Sequence, residues 1–81
     1  MNNKLEGRKV KVVAIHLNDG VLFSRGRTGV ILSGENDSLP LNIKWDFSHD
    51  NFNGMFMETY WHEEEMVEHL RYMNNKPVVL S

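Results

Sequence analysis

The sequence predicts a mainly β chain with one C-terminal helix, arranged as a small antiparallel barrel in which the helix precedes a short last strand. Three observations carry that expectation. Short β-rich runs recur between turn signals, the spacing of apolar residues turns helical after Trp61, and an apolar segment follows the helix. With 81 residues the chain fits a single domain, 1–81, with no room for separate catalytic and binding domains.

Lys9 to Leu17 is the first β-rich run, with Val10, Val12 and Ala14 on one face and Val13, Ile15 and Leu17 on the other. Apolar residues on both faces suit one long strand bent over the core. Asn18, Asp19 and Gly20 mark a turn. Residues 21–27, VLFSRGR, read as a loop with partial strand character, because Gly26 breaks the pattern. Thr28 to Ser33 is a short strand, and residues 34–40, GENDSLP, collect turn-forming types. In Leu41 to Phe47, Leu41, Ile43, Trp45 and Phe47 alternate with Asn42, Lys44 and Asp46, the period of a half-buried antiparallel strand. A polar loop ending on Asn53-Gly54 then leads into a strand from Met55 to Trp61, which predicts a hairpin between the two. Over about 62–74 the sequence reads as a helix. Met66, Leu70 and Met73 share one face, and Glu63, Glu64 and Glu65 fill the first turn, where the helix dipole favours negative charge. Pro77 to Leu80 is a candidate closing strand.

Gly7-x-x-Val10-x-Val12, then Gly26-x-x-Gly29-Val30-Ile31, then Ile43-x-Trp45-Asp46, resembles the small SH3-like barrels of the KOW type. The resemblance covers residues 7 to about 61. It implies a first strand leading through a long loop to a Gly-Xaa-Val strand. The helix before the last strand is longer than the single turn many such barrels have. Barrels of this kind bind peptides, methylated tails, RNA or other proteins, so the resemblance does not choose a function.

Composition narrows the chemistry. The absence of cysteine excludes disulfides, thiolate zinc sites and a cysteine nucleophile. No apolar run approaches the roughly 18–20 residues that span a bilayer, and no signal-peptide core follows Met1, so the expectation is a cytoplasmic protein without membrane contact. The formal net charge of −2 conceals an asymmetry. Through residue 44, seven basic residues stand against four acids; from Trp45 onward, two stand against seven. Opposite halves of opposite sign point to partners rather than to fold.

No nucleophile elbow, P-loop or GxGxxG occurs, and catalysis is not expected. His62 and His69 share a helical face but lie two turns apart, roughly 10 Å, too far to hold one ion. Glu65 between them makes only a weak ligand set, and no metal or cofactor is expected. His16 reads as a packed strand residue, and His49 lies in a polar loop.

Two binding surfaces remain. Phe56, Glu58, Tyr60, Trp61, Glu63, Glu64 and Glu68 combine aromatics with acids, which suits a protein partner with a basic surface. A sharper form is a phage-type inhibitor that occupies the nucleic-acid-binding surface of a host factor, and the same stripe also suits a homodimer. Lys9, Lys11, Arg25, Arg27 and Lys44, with Phe23 nearby for stacking, form the alternative, a nucleic-acid-binding face.

Overall fold

The computed structural model describes residues 5–32, 40–48 and 53–78. They form β1 (Lys9–Val12), β2 (His16–Asn18), β3 (Val21–Phe23), β4 (Thr28–Ile31), β5 (Leu41–Ser48), β6 (Phe56–Trp61), α1 (Glu63–His69) and β7 (Leu70–Tyr72). Among the described residues the protein is mainly β with one short helix, and the sheets are antiparallel. Five strands join in the order β6-β5-β4-β1-β7, and β2 and β3 make a separate two-stranded ribbon.

Local chemistry accounts for the joints. Asp19 and Gly20 both adopt positive φ in the turn from β2 to β3, as do Asn53 and Gly54 just before β6. Those backbone angles match the twist of antiparallel hairpins and favour Gly, Asn and Asp. β5 and β6 pair from Leu41↔Trp61 to Lys44↔Glu58, and a register shift follows before Ser48↔Phe56. The hairpin expected from alternation and Asn53-Gly54 is therefore present.

Three elements differ from the sequence expectation. The run from Lys9 to Leu17 is two strands, not one. After Val12 the chain leaves the main sheet: the Val13 amide donates to the His69 carbonyl at 2.8 Å, and the following residues pair with β3 instead. Val21–Phe23, expected as a loop, is a strand, because Val21 and Phe23 point inward and are buried while Leu22 is exposed. The helix stops at His69, short of the expected 62–74, because Leu70 is already extended at φ −120° and ψ 152°. Leu70 and Tyr72 are buried on one face of β7, so the period-two burial of a strand against β1 outweighs a further helical turn. It is thus Leu70–Tyr72 that flanks β1. Pro77 adds one bridge to Arg71, and the last residues of the expected closing strand lie outside the described set.

The core is aromatic at its centre. Trp45, Trp61 and Phe23 are fully buried, with ring centroids 4.8–5.6 Å apart. The Thr59 hydroxyl accepts hydrogen bonds from both indole N–H groups, each at 2.8 Å. Buried tryptophans need such a partner, and one small side chain serves two. Gly29 gives the space Trp45 occupies: a Cβ there would meet Trp45 Cε3 at 2.8 Å and the Lys44 carbonyl at 2.9 Å.

Two substitutions test this centre by urea unfolding. Thr59→Val strands two buried donors and lowers stability by about 2 kcal/mol or more, since each unpaired group costs about 1–3 kcal/mol, whereas Thr59→Ser retains most of it. Gly29→Ala overpacks against Trp45 and costs about 1–3 kcal/mol.

Candidate functional site

Strand register sorts the candidate residues by face. Lys9 lies opposite Val30, Val30 opposite Lys44, and Lys44 opposite Glu58, so one row crosses β1, β4, β5 and β6 on the outer face of the sheet. A parallel row runs from Arg71 through Lys11 to Thr28, whose hydroxyl donates to the Asp46 carboxylate at 2.5 Å. Asn42 and Tyr60 form the next pair, with the Asn42 amide donating to the Glu58 carboxylate. The basic and the aromatic–acidic candidates therefore share one surface, basic towards β1 and acidic with aromatic residues at the β6 edge. The sequence reading treated them as separate.

Phe56 and Tyr60 are exposed, at 58% and 61%, and Glu58 is exposed between them. Lys44 Nζ lies 5.2 Å from the centre of the Phe56 ring. Trp61 corrects the expected partner face, because it is fully buried in the aromatic core with its N–H on Thr59. Alternation explains this: Met57, Thr59 and Trp61 face inward, leaving Phe56, Glu58 and Tyr60 outside. Glu63, Glu64 and Glu68 are exposed on α1, which follows β6 after His62.

Among the basic candidates, Arg25 is exposed, and it borders a groove with Lys11, Val12, Val13 and Gly26. Arg27 lies over the Phe47 ring, 4.6 Å from its centre. Phe23, expected beside the arginines for stacking, is buried in the core. Arg71 is held by the helix end, where its guanidinium donates to the carbonyls of Val67 and Leu70 at 2.6 Å.

The histidines form a cluster of their own. His16 Nε2 donates to the Glu65 carboxylate at 2.9 Å, and its ring stacks on His69 with centroids 4.1 Å apart. His69 Nδ1 donates to the Ala14 carbonyl at 2.9 Å. Glu65 also accepts the His62 backbone N–H, so one carboxylate closes the start of α1 and ties it to β2. Partial burial pushes the Glu65 carboxyl up, but the His62 and His16 hydrogen bonds, with the charges of both histidines, outweigh it and hold the group below its ordinary value. His16, read as packed, does pack, against Trp61 and His69; its bond to Glu65, 49 residues away, left no local trace in the sequence. Glu65, read between His62 and His69, takes the backbone of the first and the ring of neither in a hydrogen bond. No group of three or more His, Asp or Glu side chains arranged to hold a metal ion occurs among the described residues. His49 lies outside them.

A shallow groove follows the β6 edge, lined by Asn18, Asp19, Glu58, Tyr60, His62 and Glu65 together with Thr59. Within it Asn18 donates its amide N–H to the Tyr60 carbonyl at 3.1 Å. Three carboxylates and an exposed aromatic ring line it, and no Lys or Arg does.

No family model, curated protein or solved structure matches this chain. No helix among the described residues is long and apolar enough to cross a membrane.

The lowered pKa of Glu65 sets a pH signature. Its contribution to stability is present above the ordinary value of 4.5 and is lost as pH falls through the lower folded-state value. Glu65→Gln is therefore expected to be less stable than the parent at pH 7. The gap should narrow in urea melts as the pH is taken below 4.5, and a gap that stays constant contradicts the role given to this carboxylate.

Proposed function

We propose that the protein is a non-enzymatic binding module of the SH3-like kind that works through protein–protein contact, presenting the β6 edge to a partner with a basic surface. The observation that carries this reading is the groove lined by Asp19, Glu58, Glu65 and the exposed Tyr60, with no Lys or Arg in its lining. Exposed aromatics beside acidic side chains offer contact area and electrostatic steering to a cationic surface. The strand order β6-β5-β4-β1-β7, with the β2–β3 ribbon in the connection between β1 and β4, supports the SH3-like reading. Blocking the basic, nucleic-acid-binding surface of another factor is the sharper form of the same proposal.

Capture from a cell lysate tests it. Immobilised parent chain should retain a component that elutes with salt, and Tyr60→Ala and Glu58→Lys should each reduce retention about tenfold or more while leaving the circular dichroism unchanged. Retention untouched by both changes removes the reading.

A second reading has its own support in the row that brings Lys9 and Lys44 to the face that carries Phe56 and Tyr60. Cations beside exposed rings are the elements of a single-strand platform. For this reading, affinity for a short oligonucleotide falls steeply with salt and falls again in Lys9→Glu and Lys44→Glu; no binding at low salt excludes it.

A further inference from the structure

Among the described residues no strand pairs with the outer edge of β6. Asn42 lies opposite Tyr60, yet its carbonyl accepts the Leu32 amide on the β4 side, at 2.8 Å. In an antiparallel ladder such a residue turns its backbone groups away from its other neighbour, so the Asn42–Tyr60 pair exchanges no backbone bonds. The Tyr60 carbonyl agrees, since it points outward to the Asn18 amide. Glu58, two residues earlier and opposite Lys44, has the same sense, so its N–H and C=O also face outward. β6 ends the sheet order.

We propose that this edge accepts an added strand from a partner protein: an extended segment with Lys or Arg at alternate positions. The proposal rests on the protein-binding reading above and names the chemistry of that partner. An added strand offers N–H and C=O groups to Glu58, and its alternating side chains fall on the exposed face of β6. One cationic side chain then lies between the Asp19 and Glu58 carboxylates and the Tyr60 ring, a surrounding that attracts a cation and repels a phosphate or an acidic segment. Asn18 holds the Tyr60 carbonyl and so sets where the added strand stops. The open stretch runs along residues 56–59 towards the turn from β2 to β3.

The test titrates the full chain, labelled with ¹⁵N, with the capped peptide Thr-Lys-Val-Arg-Val-Lys-Thr. Two controls accompany it: the same peptide with alternate backbone amides N-methylated, and one with Glu at each basic position. The expected result is a shift of the Glu58 and Tyr60 amide signals with slowed exchange at Glu58. Affinity should fall about tenfold or more with either control peptide, and in Asp19→Asn and Glu58→Lys. Absence of binding, equal binding of either control, or shifts confined to α1 overturns the added strand. The protein-binding reading is separable: if lysate capture still depends on Tyr60 and Glu58 while the N-methylated peptide competes as well as the parent peptide, that reading stands and the added strand falls.

Discussion

The Thr59 hydroxyl is the point on which the rest of the structure depends. It lies between Trp45 and Trp61 and accepts both indole N–H groups, so the two largest core side chains are buried without an unpaired donor between them. Trp45 belongs to β5, and Trp61 and Thr59 to β6. The hydroxyl therefore fixes how the two strands lie across each other as well as what their inner face contains. With that face settled, the opposite residues of β6 have no choice: Phe56, Glu58 and Tyr60 are outside because Met57, Thr59 and Trp61 are inside.

Much of this was legible in the sequence. The alternation through Leu41, Ile43 and Trp45 gives β5 and its inner face directly, and Asn53-Gly54 announces the turn before β6. Local pattern failed where a long-range contact decided the outcome. Nothing near Val12 says that the chain leaves the sheet there, because the reason is an amide bonded to His69. Leu70 continues the helical spacing of Met66, yet pairing with Val12 makes it a strand residue. The candidate face is legible only in its exposure: residue types pick out Phe56, Glu58 and Tyr60, which are exposed, and also Trp61, which is buried, because adjacency in sequence does not reveal which of two alternating faces meets the core.

Charge gains a geometry from the sheet. The sequence divides into a basic first half and an acidic second half, and the strand order carries that division across one surface, with β1 towards one side and β6 at the other. Lys44 is the exception, a first-half cation set directly opposite Glu58 and close to Phe56. At this position the two surfaces meet, so a partner that covers the acidic edge also touches a cation, and its own charge must be patterned rather than uniformly positive.

The clasp of Glu65 on His16 ties distant parts of the chain together. The two residues are 49 apart in the chain, and the same carboxylate accepts the amide that begins α1. Contacts between residues so distant carry a loop-closure cost, because the intervening chain must be brought together before they return any stabilisation. The β2–β3 ribbon thus depends on two scales of contact: its turn is local, but its seat is closed by a contact across 49 residues, where β6 delivers α1 to His16.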